Sequence, residues 1–171
     1  MNGRWPGCGT IAQRAFQGQT MHLLETRIPP PLLMLLCGAM GYLLARVWPW
    51  PVLPVPGWIA VLVMLAGLAL NLLPKLAFRR ARTTVNPLRP AAATALVTEG
   101  IYRHTRNPMY LGQGLVLLGA MLWLGSAAAL LVVPMFVGWI TRFQIVPEEQ
   151  VLSARFGVDY ADFRRRVRRW G

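Results

Sequence analysis

MYLGQGLVLLGAMLWLGSAAALLVVPMFVGWITRFQIV, residues 109–146, decides the fold. Its one charge is Arg142, and Gly125-Ser126 divides it near the middle. A helix crosses the ~30 Å hydrocarbon layer with about 20 mostly apolar residues. The stretch therefore reads as two spans, 109–124 and 127 to about 146. A connection this tight allows only an antiparallel helical hairpin. Pro134 is expected to kink the second span, because proline removes one backbone donor and crowds the preceding turn.

Upstream, the same reading gives two more spans. One runs over 31–47, introduced by Pro29-Pro30-Pro31, which suits a helix start, and closed by Arg46 and Trp48-Pro49-Trp50. The other covers 57–73, with Trp58 at one end and Pro74-Lys75, Arg79, Arg80 and Arg82 beyond the other. Tryptophans at such ends fit an interfacial aromatic belt. Composition agrees: the chain of 171 residues is 55% hydrophobic and 14% charged, with mean hydropathy +0.43. Soluble domains carry about 25% charged residues. Cys8 and Cys37 have no metal spacing, so neither a metal site nor a disulfide framework is expected.

Charge distribution orients the bundle. Of 18 Lys and Arg, three precede the first span, seven lie between Lys75 and Arg106, and seven follow from Arg142 onward. Only Arg46 falls on the opposite side. The positive-inside rule makes the basic side cytoplasmic, and this topological pattern explains the net charge of +12 without a nucleic-acid partner. The expected fold class is an all-α integral membrane protein. It has about four transmembrane helices, a C-terminal amphipathic helix and both termini in the cytoplasm. Residues 1–20 read as a disordered tail or as sequence ahead of a true start at Met21. Residues 21–74 then hold the first two spans, and 75–171 a binding loop, the hairpin and the C-terminal helix. Within that helix Tyr160, Phe163, Val167 and Trp170 alternate with arginines, a pattern suited to an anionic leaflet.

Polar groups at membrane depth are functional candidates by default. Asn71 and Gln113 fit interhelical hydrogen bonds at least as well. Arg142 stands seven residues before Glu149, so a continuous helix would put both on one face, either as a structural ion pair or as part of a site. Glu148-Glu149 are either dipole partners at a helix start or ligand groups. The segment 99–112 gathers Gly100, Tyr102, His104, Asn107-Pro108 and Tyr110, and lacks a second nearby histidine. Gly112-Gln113-Gly114 has no preceding strand, so it reads as helix packing.

The run GIYRHTRNPMYLG, followed after the hairpin by PEEQVLSARFGVDYADFRRRVRRW, resembles the isoprenylcysteine carboxyl methyltransferase superfamily, which includes the phospholipid N-methyltransferases. The upstream TTVNPLRPAAATALVTEG is similar to its bacterial members, so the match spans roughly residues 83–170. The resemblance implies a bacterial inner-membrane enzyme using S-adenosyl-L-methionine, with its active site facing the cytoplasm. It implies cofactor contacts from Thr94, Ala95, Leu96 and Val97, from Tyr102, from Asn107, Pro108, Met109 and Tyr110, and from Glu148. Arg106, Arg142 and Glu149 are the candidates for catalytic roles. Gln144 departs from the pattern, because the prenylcysteine enzymes place a substrate-binding arginine there. The implied partners are the bilayer and a lipophilic methyl acceptor. Methyl transfer from a sulfonium needs alignment and exclusion of water rather than a metal. The competing readings are an NADPH-dependent membrane reductase of sterol-reductase type and a non-catalytic lipid-binding membrane protein.

Overall fold

The computed structural model describes residues 28–48, 52–80 and 96–171, with backbone alone over 75–80. The expectations for residues 1–20 and the expected contacts of Thr94 and Ala95 lie outside this range. The described residues form helices α1 (Pro30–Val47), α2 (Gly57–Arg80), α3 (Pro108–Leu124), α4 (Val132–Ile140) and α5 (Val146–Arg166). Short 3₁₀ turns occupy Gly100–Arg103 and Ala129–Leu131, and a π-helical turn, Thr141–Ile145, joins α4 to α5.

Local chemistry sets these boundaries. Pro30 and Pro108 open α1 and α3, where a missing N–H costs nothing. Asn107 is held out of the helical region (φ −129°, ψ 55°), as steric conflict with a following proline demands. Gly125 ends α3 in the left-handed conformation (φ 66°), which an L side chain resists. Pro134 falls in the first turn of α4, directly after a 3₁₀ turn, so it starts the helix rather than kinking it. α2 continues past Pro74 to Arg80, six residues beyond the proline, where the sequence suggested a stop.

Among the described residues, three helical stretches have the length and apolarity of a membrane span: Pro30–Val47, Gly57–Pro74 and the path Ala129–Arg166. α3 is apolar with 17 residues, about 25 Å, at the short end of the spanning range. The fourth span leads through the π turn into α5, and the path kinks at Gly157 (φ 50°, ψ −115°) before the C-terminal helical segment that carries Tyr160 and Phe163.

α2 and α3 run side by side in antiparallel contact through small residues. A Cβ added to Gly67 would lie 2.6 Å from the Gly112 carbonyl oxygen, and one added to Gly119 would lie 2.7 Å from that of Ala60. Gly112 is thus a packing residue, and this backbone approach is how helices associate where water supplies no drive. α1 covers the other side of α3 and α4, burying Leu33 and Cys37 against Leu117, Met121, Phe136 and Ile140. At one end Leu53 N–H donates to the Gly125 carbonyl at 2.7 Å and Ser126 Oγ donates to that of Trp48. Trp48, Trp58 and Trp123 are exposed around that end. Leu35, Leu36, Leu43, Leu62, Leu65 and Leu68 are more than half exposed along α1 and α2, a surface suited to lipid.

Candidate active site

The polar residues collect at the opposite end of the bundle. Gly100 (φ 64°) turns the chain into the 3₁₀ helix, which buries Tyr102 against Tyr160, Phe163 and Val167. Leu96, Val97 and Ile101 pack on the same cluster. Pro108 then starts α3, whose first turn carries Tyr110 inward. Across the gap, the start of α5 supplies Glu148, and Tyr110 Oη donates to its Oε1 at 2.5 Å. This bond joins the two separated sequence motifs.

Glu149 points elsewhere. It is 7% exposed and takes two hydrogen bonds from Arg169, Nε to Oε1 at 3.1 Å and Nη2 to Oε2 at 2.8 Å. Arg106 Nη1 lies 3.1 Å from Oε1. The helix stops at Arg166, and residues 167–171 return across the loop before α3. There the Arg169 carbonyl accepts from Thr105 Oγ1 and Asn107 Nδ2, both at 3.1 Å, and the Arg168 carbonyl accepts from Arg106 N–H at 3.1 Å. The C-terminal strap thus ties the loop to the acidic pair. The apolar face expected to meet a leaflet is covered by the protein: Tyr160, Phe163 and Val167 pack on the Tyr102 turn. Trp170 packs on the main core.

Of the expected site residues, Leu96, Val97, Tyr102, Arg106, Asn107, Pro108, Tyr110, Glu148 and Glu149 converge on this end, with Met109 half-buried beside Tyr110. Arg142 does not share a face with Glu149. It is exposed, with its guanidinium 5.7 Å from the centroid of the Phe143 ring. The wider i→i+5 turn underwinds the helix, so residues seven apart no longer align. His104 is exposed. Thr105 and Arg169 escaped sequence reasoning. A threonine in a loop carries no signal, and Arg169 is one of five arginines among the last eight residues.

The electrostatics distinguish the two acids. Glu148 lies past the apolar part of its helix, yet its carboxyl sits among protein atoms. Desolvation pushes its pKa up to about 8, with a further rise from Glu149 and an opposing fall from the Tyr110 hydrogen bond. Burial, aided by the Glu148 charge, likewise holds the Tyr102 phenol above its ordinary value. Hydrogen bonds to Glu149 hold the Arg169 guanidinium above its own.

The family model for phospholipid methyltransferase matches residues 55–159, a range containing α2 to the Tyr110–Glu148 pair but not the strap. Over 62 residues the chain is 45% identical to an uncharacterized protein of Haemophilus influenzae, covering 36% of this chain and 98% of that one. Over 72 residues it is 33% identical to the protein-S-isoprenylcysteine O-methyltransferase of Schizosaccharomyces pombe, covering 42% of this chain and 30% of that protein. No solved structure matches. The family match spans well over half of the chain and takes in both halves of the site, so this protein belongs to the phospholipid methyltransferase family.

Proposed function

We propose that the protein transfers a methyl group from S-adenosyl-L-methionine to a lipophilic acceptor at the cytoplasmic face of a bacterial inner membrane. The observation that carries this reading is the Tyr110–Glu148 hydrogen bond, which sets a carboxyl at the polar end of an otherwise apolar bundle. The donor set suits the cofactor. Glu148 accepts from an ammonium or from ribose hydroxyls. Arg106 Nε is a buried donor without a hydrogen-bond partner, the complement of a carboxylate. The Tyr102 and Tyr110 rings offer π faces to a sulfonium.

Bound there, the cofactor supplies an electrophilic methyl on sulfur. The chain's own task is alignment. Tyr110 and Glu148 orient, Arg106 and Asn107 hold the loop, and the Glu149–Arg169 pair fixes both from behind. In this reading Arg106 binds and positions, and Glu149 positions without touching substrate. Arg142, exposed beside Phe143, serves the acceptor's entry rather than the reacting atoms. Lipid reaches the site between helices and the water-soluble cofactor reaches it from the basic side.

The test is titration with S-adenosylhomocysteine, then labelled-methyl transfer into a lipid extract. Glu148→Ala is expected to weaken binding at least tenfold while membrane insertion persists. Saturable NADPH binding without S-adenosylhomocysteine binding would overturn the proposal.

A further inference from the structure

α1 and α2 both dock on α3, yet a gap separates them. They use different sides of it. A Cβ added to Gly41 of α1 would strike the Met121 side chain, whereas one added to Gly112 or Gly119 would strike the backbone of α2. Between the two seams runs a groove of about 570 Å³. Its floor is Val116, Leu117 and Ala120, with Gly38 and Ala39 of α1 on one side and Met64 of α2 on the other. Helices inside a protein pack closely, and atoms facing a void forfeit dispersion contacts. In a bilayer such a groove fills with hydrocarbon, and it is continuous with the exposed leucines of α1 and α2.

Polarity, length and width identify the occupant. Of the lining side chains only Tyr42 and Trp123 carry a hydroxyl or an N–H, and both stand at the tryptophan end, more than half exposed. Such amphipathic rings mark head-group level. From Tyr42 back to Met34 the groove runs about 12 Å along α1 at ~1.5 Å per residue. That is close to half of the ~30 Å hydrocarbon layer. Its apolar end, at Met34 and Val116, stops about 9 Å short of Tyr110 along α3. The groove therefore occupies the half of the bilayer away from the candidate site. Spread over that length, 570 Å³ leaves a cross-section of about 50 Å², whereas a helix ~10 Å across needs ~80 Å². The helix of a second copy is too wide, and flexible hydrocarbon chains are not.

We propose that this groove binds a glycerophospholipid of the leaflet opposite the candidate active site, with its ester region at Tyr42 and Trp123 and an acyl chain running past Gly38 to Met34. This lipid is a resident of the fold and not the methyl acceptor, since its head group lies at the far end of the bundle from Glu148. Its carbon replaces the contact that α1 and α2 do not make with each other. Met34, Met64 and Met121 suit the task, because unbranched thioether side chains adapt to an irregular chain. The lipid also seats α1, whose other end reaches the site's helix. There the Ile28 carbonyl accepts from Gln144 Nε2 at 2.9 Å, one turn before Glu148. Gly38 keeps the groove open. A Cβ there would lie 3.9 Å from Leu117 Cδ1, in ordinary contact, so a larger side chain enters the groove without straining the bundle.

The experiment uses the full chain in dioleoylphosphatidylcholine nanodiscs with two photoreactive phosphatidylcholines. One carries a diazirine near the ester and the other near the terminal methyl, and adducts are mapped by peptide mass spectrometry. In the wild type the ester-proximal probe is expected to label Tyr42 and Trp123 at least threefold more than Met34 and Val116. The terminal probe is expected to show the reverse. Both should label the groove at least threefold above the exposed faces at Leu36 and Leu65. Gly38→Leu is expected to cut groove labelling at least fivefold, while Gly138→Leu, on an open face of α4, leaves it unchanged. The opposite order of labelling overturns the proposal, because the chain would then hang from the site's own leaflet, as an acceptor's would. Groove labelling no stronger than at Leu36 and Leu65 overturns it in favour of unselected boundary lipid. Cross-links between copies through an unlabelled groove overturn it in favour of a dimer seam. Folded Gly38→Leu protein with unchanged groove labelling does so too. None of these readouts requires methyl transfer, so the proposal and the reading above fail separately.

Discussion

At the scale of single residues, two neighbouring glutamates do different work, and pH separates them. Desolvation pushes the Glu148 carboxyl up to about 8, and the cationic ligand proposed for it would bind the ionised form. Binding at neutral pH must therefore expel a proton. Affinity for S-adenosylhomocysteine is expected to rise about tenfold per unit from pH 6 towards 8 and to level off above it. Calorimetry in buffers of different ionisation enthalpy would register the released proton. Glu148→Gln should flatten the profile. Tyr110→Phe removes the hydrogen bond that lowers this pKa, so its profile should shift to higher pH. The stability sign follows too. A carboxyl whose folded pKa is raised costs the empty protein stability as pH climbs from about 4.5 through 8. Glu148→Gln, which mimics the protonated form, should accordingly raise the melting temperature at pH 9 and leave it unchanged at pH 4. Glu149 lies in a buried pair with Arg106, both side chains at or below 10% exposure. Glu149→Gln leaves that arginine charged without its carboxylate, a loss of about 3–5 kcal/mol readable by thermal unfolding in detergent.

At the scale of elements, the α2–α3 seam and the C-terminal strap are the two joints that set the site's position. Gly112 meets the Gly67 carbonyl and the Asn71 side chain, so Gly112→Leu forces the helices apart. A cost of about 3 kcal/mol or more is expected, with loss of monodisperse protein on size exclusion. Gly114 faces open space by comparison, its nearest neighbour being Phe136 at 4.0 Å, and Gly114→Ala should be tolerated. Truncation after Arg166 removes every strap contact with Thr105, Arg106, Asn107 and Glu149, together with the packing of Val167 and Trp170, while the apolar helices themselves are kept. The shortened protein should insert normally and bind S-adenosylhomocysteine at least tenfold more weakly. Unchanged affinity would show that the strap does not position the site.

At the scale of the whole molecule, the exposed leucines form the lipid-facing wall and the polar site occupies one end. Cysteines introduced at Val55 and Asp159 and probed with an impermeant thiol reagent should label from opposite sides, Asp159 from the cytoplasm. Labelling of both from one side would refute the proposed topology. Much of this was readable beforehand. The apolar runs, the Gly125-Ser126 hairpin and the two motifs that approach each other are visible in the sequence. Bilayer thickness, helix periodicity and turn chemistry act locally and leave a local trace. What the sequence could not determine was partner choice. Arg142 has the right spacing for Glu149 on a regular helix, yet the π turn re-aims it, and Arg169, twenty residues further on, takes the carboxylate. The same return turned the aromatic face of α5 inward onto Tyr102 instead of outward to lipid. Many arginines satisfy one charge equally well on paper. Only the chain's path through three dimensions brings two of them against it, Arg169 at 2.8 Å and Arg106 at 3.1 Å.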